Sequence, residues 1–403
     1  SWDRSLGSSD MKKNALFILI LLAVFAVAGE RGTVVSAAEK EDIESAAEEE
    51  LQQNISDLLD ELDLKDLQEY LDTLTEFHGI SLKDKLKGLI DGDLSLDYSS
   101  LGNAVLHTFL EEIALLFPVF AVILAASLLC GILNSAKSGF LHSTMSDIIG
   151  FVAYLAVGAA VLACLISVLS SVFSCVEAMK TQMELVYPVL LTLMAAGGGT
   201  VSAAVFRPAV VFLSDGILNF FSTVVMPVSV AVLVLSFVGN LSAEVRTEKL
   251  GELFKNILRW LIGLSFGLFG LFLTVQGISS GGFDGITLRT VKYLVSGSVP
   301  VVGGFLSGSV DLVLAGSALI KNALGSFSVL LLVSVVLKPL LLLAAMQLFL
   351  RVSAAATEPV GGKIPCLLSR LAGDMGYFTA SLLTVAFLHF LTLLLFVCSS
   401  GVL

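Results

Sequence analysis

The stretch SFSVLLLVSVVLKPLLLLAAMQLFL, residues 326–350, decides the fold of this chain. It carries a single charged side chain, Lys338. A helix needs about 20 mainly apolar residues to cross the hydrocarbon core of a bilayer, so the stretch predicts a transmembrane helix. The whole chain shares this character, because 56% of its 403 residues are hydrophobic and 14% are charged, whereas soluble proteins average about 25% charged. We therefore predict an all-α polytopic membrane protein.

Further apolar stretches raise the prediction to about eight transmembrane helices. They cover roughly residues 113–133, 148–172, 186–206, 215–240, 257–279, 294–320, 326–350 and 377–399, within a polytopic domain that spans 113–403. The third and sixth stretches are interrupted by glycines: Gly197, Gly198 and Gly199 in one, Gly303, Gly304 and Gly308 in the other. Because unwound backbone at membrane depth is tolerated only inside protein, these two are predicted to be broken or re-entrant helices.

The N-terminal residues are typical of an export signal. Residues 1–10 lack an initiator methionine and precede Met11, so we interpret them as an upstream extension. Residues 11–37 combine two lysines, an apolar run from Ala15 to Ala28 and small residues ending at Ala37. This is the pattern of a cleavable signal peptide, and the apolar run is too short to favour the alternative of a permanent anchor.

An acidic head is predicted over residues 38–112. The chain has a formal net charge of -12, and nineteen Asp or Glu against five Lys fall between Glu39 and Ser100. The remainder is therefore close to neutral. Following a signal peptide, this segment is expected on the extracytoplasmic side. It is interpreted either as a small helical cap or as a docking surface for a partner outside the membrane.

The head is expected to be helical. Apolar residues recur at helical spacing over 51–62 and again over 67–74, which predicts two amphipathic helices. Asp63 can cap the second of them. Ser81 and Asp84 have the spacing of a capping box for a third helix.

Proline positions predict an internal repeat. Pro118, Pro227 and Pro339 are separated by 109 and 112 residues, and Pro188 and Pro300 are again 112 apart. A unit of three spans, repeated and then truncated, explains this spacing. An odd number of spans per unit would place successive copies in opposite orientations, as in inverted-repeat transporters. The alternative is coincidence, because the dipeptides involved are common in such a composition.

Three ionisable residues in or beside apolar stretches are candidate passage or packing residues: Asp215, Asp311 and Lys321. Ionisable groups at membrane depth are costly and often functional. Asp311 and Lys321 are ten residues apart, about 15 Å along a helix, so they cannot pair as helical neighbours. Lys321 also has a simpler interpretation as the end of a span, with its ammonium reaching towards water.

Enzyme chemistry is not predicted. The sequence contains neither a phosphate-binding loop nor a nucleophile or zinc-protease motif, and its five cysteines and four histidines lack metal-ligand spacing. We expect no catalytic residues, no cofactor, no metal and no nucleic-acid partner.

The amphipathic segment 246–259 is predicted to lie on the membrane surface, to touch a partner, or to form a solvated linker helix.

Several longer segments carry a family resemblance: ISLKD at 80–84, GDLSLD at 92–97, YPVLLTLMAAGG at 187–198, and KYLVSGSVPVVGGFLS at 292–307 running into SVD at 309–311. In these the chain resembles the stage III sporulation protein AE family of endospore-forming bacteria. The resemblance implies a multi-pass protein of the mother-cell membrane around the forespore. It also implies a complex with other stage III sporulation subunits, including a secretion-type ATPase, that maintains the forespore and permits late gene expression there.

The leading functional hypothesis is a non-enzymatic component of a specialised secretion or feeding channel between the two cells. A solute permease acting alone is the alternative, favoured by the predicted repeat, and a scaffold without a passage is a third.

Orientation in the membrane is not decided by charge. With eight spans and the head outside, seven Lys or Arg would lie inside and six outside: Lys137, Arg207, Arg289, Lys292, Arg351, Lys363 and Arg370 against Lys180, Arg246, Lys249, Lys255, Arg259 and Lys321.

Overall fold

The computed structural model describes seven stretches of the chain, and all secondary structure in them is helical: residues 41–74, 79–91, 98–135, 143–241, 248–280, 303–360 and 364–398. The all-α prediction is confirmed for these residues. The predicted extension 1–10, the predicted signal peptide 11–37 and the first part of the predicted span 294–320 lie outside them.

The chain divides into two compact units, residues 1–53 and 54–403. In the first unit, the described residues 41–53 begin helix α1 (Glu41–Glu61). The second unit contains the rest of α1 and these helices: α2 (Lys65–Thr73), α3 (Leu82–Ile90), α4 (Tyr98–Ser135), α5 (Ser143–Ala196), α6 (Thr200–Val211), α7 (Met226–Leu241), α8 (Glu248–Ser280), α9 (Gly303–Thr357) and α10 (Ile364–Cys398). Two π-helical segments, Phe212–Leu218 and Phe221–Val225, connect α6 to α7, and a 3-10 turn follows α9.

Three long helices, α5, α9 and α10, form the central seam of the second unit. α9 packs along both of the others. α9 runs antiparallel to α5, because Gln182 donates to the Ser328 carbonyl while Cys175 contacts the Val335 carbonyl. α10 is apolar on most of its surface and is largely buried over its whole length. A helix that is hydrophobic all round belongs in the interior of a bundle, and α10 occupies that position.

The helices α5 and α9 are much longer than a bilayer is thick. They contain 54 and 55 residues, about 80 Å each at a rise of about 1.5 Å per residue, against a hydrocarbon core of about 30 Å. The surface of α5 changes along its length. Phe151, Val152 and Ile166 expose apolar side chains, whereas Glu177 and Glu184 expose charges. The lipid-facing part of α5 therefore ends before Glu177, and its last turns extend beyond the hydrocarbon core.

Five helical segments of the described residues are long and apolar enough to cross a membrane: Tyr154–Ala196, Gly216–Gly239, Glu248–Leu271, Leu312–Thr357 and Ile364–Cys398. A bent pair, Phe109–Pro118 with Phe120–Leu129, makes a sixth. The prediction of eight spans is thus not confirmed. Two pairs of predicted spans merge, because α5 and α9 each continue without a break through the predicted boundary between two spans. Polar residues such as Lys321 and Asn322 do not end a helix when tertiary packing supports it, since their helix propensities differ little from those of apolar residues.

The predicted repeat is not confirmed either. Pro118, Pro227 and Pro339 all lie inside helical spans rather than at their starts: in α4, in the span Gly216–Gly239 and in α9. Their equal spacing in the sequence does not by itself establish an inverted repeat of the helices. A proline inside a helix removes one backbone hydrogen bond, and the surrounding long helix absorbs this cost.

The head helices α2 and α3 pack on the seam, α2 against α5 and α3 against α9. The Tyr70 hydroxyl of α2 donates to the Ala178 carbonyl of α5 at 3.1 Å. Burial raises the pKa of Tyr70 to about 12, and the Cys175 thiol contributes to this shift.

The predicted cap is confirmed, since the Ser81 side chain accepts from the Asp84 backbone N–H. Asp63 instead accepts weakly from the Lys65 N–H at 3.4 Å, and Leu64 precedes α2 as its N-cap.

Candidate functional site

The glycine run 197–199 forms the turn between α5 and α6. Gly198 has φ of 87°, in the left-handed region that glycine adopts without strain. The predicted break is therefore present here. A Cβ at Gly197 would lie 3.8 Å from the Cβ of Ser317 on α9, which places the turn beside that helix.

The second glycine segment differs from the prediction. Gly303, Gly304 and Gly308 lie in the first turns of α9, which continues unbroken to Thr357. Gly308 precedes Ser317 by nine residues, about 14 Å along the helix, so the two glycine segments are offset. Glycine costs a helix only about 1 kcal/mol relative to alanine, and a helix of this length tolerates it.

The predicted acidic residues lie on two different elements. Asp215 falls in the π-helical segment Phe212–Leu218 and Asp311 in the first third of α9. The side chains of both lie outside the described part of the structure. Their proposed role in a passage stays a prediction.

Lys321 lies in the seam itself. Its side chain is 1% exposed, so the interpretation as a snorkelling residue at the end of a span is wrong. Its Nζ makes no hydrogen bond within the part of the chain that the structure describes. Ser317, one helical turn earlier, is fully buried, and its hydroxyl is likewise without a partner among the described residues. An ammonium and a hydroxyl thus share one face of α9 with their hydrogen-bonding capacity unused.

Further polar side chains line the same seam, and the sequence did not identify them. Gln182 on α5 is fully buried and donates to the Ser328 carbonyl at 2.7 Å. The rings of Tyr187 on α5 and His389 on α10 are edge to face, with centroids 5.6 Å apart. Tyr187 and His389 stand singly in apolar runs, whereas Gln182 lies in the polar stretch 180–184, so no sequence pattern marks the three as neighbours.

His389 does not have the geometry of a catalytic base. A catalytic imidazole is normally oriented by a hydrogen bond at one nitrogen while the other faces the reacting group. Neither nitrogen of His389 has a partner among the residues described, and the side chain is fully buried. The described stretches likewise contain no group of three or more His, Cys, Asp or Glu that could hold a metal ion.

Ion pairs connect α8 and α10 at the opposite end of the bundle. Lys255 Nζ lies 2.6 Å from Asp374 Oδ1, and the carboxylate is 1% exposed. Arg370 pairs with Glu248 at 3.0 Å in a more exposed position. No local sequence pattern indicates this cluster. Asp374 is a lone acid in an apolar run, and Lys255 and Glu248 belong to the amphipathic segment 246–259, most of whose described residues are exposed.

Comparisons with known proteins agree with this architecture. The family described as Stage III sporulation protein AE matches residues 80–400. The chain is also similar to the Stage III sporulation protein AE of Bacillus subtilis (strain 168), with 28% identity over 384 residues that cover 93% of this chain and 95% of the relative. Solved structures provide no match. A multi-pass bundle of apolar helices, matched through nearly all of its membrane region, thus belongs to the stage III sporulation protein AE family.

Proposed function

We propose that the chain is a non-enzymatic membrane component of a secretion-type or feeding channel complex that connects mother cell and forespore. The observation that carries the proposal is the family match over residues 80–400, which includes every membrane helix described above. A sporulation role follows from the family. The channel mechanism is the added step.

Packing of the seam favours a component of an assembly over a permease acting alone. Fully buried apolar side chains fill the space between α5, α9 and α10, among them Val172, Leu331 and Leu382. A cavity between α4, α5 and α9 measures about 10 Å³, room for about one water molecule, whereas the cleft of about 500 Å³ that is lined by α6 and Phe212 is open to the surface and lies outside the seam. A passage for solutes or proteins would therefore run between this chain and other subunits. Those subunits would include other stage III sporulation proteins and a secretion-type ATPase that supplies energy.

Charge distribution supports an extracytoplasmic head, and the mother-cell membrane as the location is part of the same proposal. Because α5 and α9 are continuous, the cations regroup relative to the eight-span prediction. Apart from the head helices and Lys338 in the middle of α9, five described cations lie towards the end marked by the Arg370–Glu248 pair, against three at the end that carries the head: Lys249, Lys255, Arg259, Arg351 and Arg370 against Lys180, Arg207 and Lys321. Cytoplasmic ends carry an excess of Lys and Arg, so the head would be outside.

The test is deletion of the gene in the sporulating host, with complementation by the wild-type chain. We expect engulfment to proceed and a late forespore reporter to stay silent until the chain is restored. A tagged chain should co-purify with other stage III membrane subunits and the ATPase. Normal late expression in the deletion strain, or a tagged chain that purifies without these proteins, would contradict the proposal.

A further inference from the structure

The unpaired ammonium of Lys321 is the least explained group of the described structure. Taking a charged amine out of water costs several kcal/mol unless a partner compensates it. Lys321 is 1% exposed and has no hydrogen-bond partner in the described stretches, and its titratable neighbour is the Cys398 thiol rather than a carboxylate. A fold that keeps such a group has either a bound counter-charge or a reason to tolerate its cost.

A second unpartnered donor lies on the same face. Ser317 and Lys321 are four residues apart, so their side chains are neighbours on α9. A helical serine commonly satisfies its hydroxyl on the carbonyl four residues earlier, as Ser328 does on Leu324 at 2.7 Å. The Ser317 hydroxyl makes no such bond to any described residue and stays available.

The pair is buried towards the head end of the seam. Ser317 lies beside Gly197, and Ser328 beside Gln182, so Lys321 is level with the last turns of α5. These turns follow the exposed Glu177 and Glu184, beyond the lipid-facing part of that helix. The pair is therefore buried in protein rather than in hydrocarbon. Helix α6 begins at Thr200 directly after the glycine turn, and its positive end adds favourable potential for an anion.

We propose that Lys321 and Ser317 form a binding site for an oxyanion, a phosphate or a carboxylate, in the seam between α5, α9 and α10. An ammonium offers three donors and the hydroxyl a fourth, which matches the acceptor oxygens of either group. A Cβ at Gly197 would lie 3.2 Å from the Leu193 carbonyl oxygen and 3.8 Å from the Ser317 Cβ, so the absence of a side chain there lets the turn approach α9 closely. The proposal is independent of the channel function, because it rests on side chains of this chain alone.

The experiment measures thermal unfolding of the purified full-length chain in detergent. Sodium phosphate, sodium acetate and sodium chloride are titrated at equal ionic strength. We expect the unfolding midpoint of the wild type to rise by roughly 3 °C, relative to chloride, for each tenfold increase in the concentration of free anion above its Kd. A rise with phosphate alone indicates a phosphate site, and a rise with acetate as well indicates a carboxylate site.

Variants connect the effect to the site. Lys321→Met removes the charge at similar size and should abolish the anion-dependent rise, while Ser317→Ala should reduce it. Lys180→Met is the matched control, because Lys180 is a partly exposed cation on α5, and it should respond like the wild type. A wild type that unfolds at the same temperature in all three salts overturns the proposal, whatever the variants do. So does a rise that persists in either Lys321→Met or Ser317→Ala at wild-type size.

Discussion

At the scale of single residues, the two α8–α10 ion pairs differ in burial. Asp374 is 1% exposed and contacts Lys255, whereas the side chain of Glu248, which contacts Arg370, is 67% exposed. Removing one member of a buried pair leaves an uncompensated charge, which typically costs about 3 kcal/mol or more. An exposed pair contributes under about 1 kcal/mol, because water and salt screen it.

The first prediction compares these pairs by mutation. Lys255→Ala leaves the buried Asp374 carboxylate without its cation and should lower the free energy of unfolding by about 3 kcal/mol, whereas Glu248→Ala should lower it by less than about 1 kcal/mol. Denaturant unfolding in detergent measures both. The double variant Lys255→Met with Asp374→Leu should recover most of the loss, since an apolar pair leaves no buried charge. Equal effects of the two single variants would show that burial does not decide the strength of these pairs.

The second prediction concerns Tyr70, whose hydroxyl connects α2 to the Ala178 carbonyl of α5. Tyr70→Phe removes one hydrogen bond worth about 1 kcal/mol and should increase amide hydrogen exchange in α2 without unfolding the seam. Burial raises the pKa of Tyr70 to about 12 from its ordinary value of 10. A raised phenol pKa contributes stability fully below pH 10 and loses it as pH rises through about 12. The difference between variant and wild type should therefore be constant from pH 6 to pH 9.

At the scale of elements, contacts between helices depend on small residues at chosen positions. A Cβ at Gly158 of α5 would lie 2.5 Å from a ring carbon of Phe237 on α7, and that ring is already packed against Tyr154. A Cβ at Gly267 of α8 would meet nothing within 4 Å. The two glycines are therefore a matched pair for testing close packing against helix propensity.

The third prediction uses this pair. Gly158→Ala should destabilise the bundle by about 1–3 kcal/mol through overpacking against Phe237. Gly267→Ala should be neutral or stabilising by up to about 1 kcal/mol, because alanine is the better helix former. Thermal unfolding of both variants in the same detergent decides the matter. A stabilising Gly158→Ala would mean that Phe237 moves aside freely and that α5 and α7 are loosely packed there.

The elements also show what the sequence could predict. Apolar runs predicted the membrane helices because hydropathy is a local property, and the Ser81 cap and the Gly198 break have local signals too. The continuity of α5 and α9 could not be predicted. A polar pair such as Lys321 and Asn322 marks the end of a span when it lies at the membrane surface, but these two residues lie in the seam. Burial of Lys321, and the pairing of Lys255 with Asp374, depend on neighbours more than 100 residues away. Periodic prolines suggested a repeat for which the helices give no support.

At the scale of the whole molecule, the length of α5 and the distribution of charge imply a specific arrangement in the membrane. The lipid-facing surface of α5 includes Ile166 and ends before Glu177. The head helix α2 packs on α5 just past this boundary. If the cation-rich end is cytoplasmic, then the head and the last turns of α5 lie together in the extracytoplasmic space.

The last prediction tests this arrangement with single cysteines in a background where the five native cysteines are replaced. Asp66→Cys on α2 and Glu184→Cys on α5 should react with a membrane-impermeant maleimide in intact protoplasts, because both positions are exposed on the head side. Lys249→Cys at the start of α8 should react only after permeabilisation. Ile166→Cys should stay unlabelled in both conditions, since lipid covers an apolar surface position at that depth.

Labelling of Lys249→Cys but not Asp66→Cys in intact protoplasts would reverse the orientation. Labelling of Asp66→Cys without Glu184→Cys would place the last turns of α5 inside the bilayer and would remove the aqueous access on which an oxyanion site at Lys321 depends.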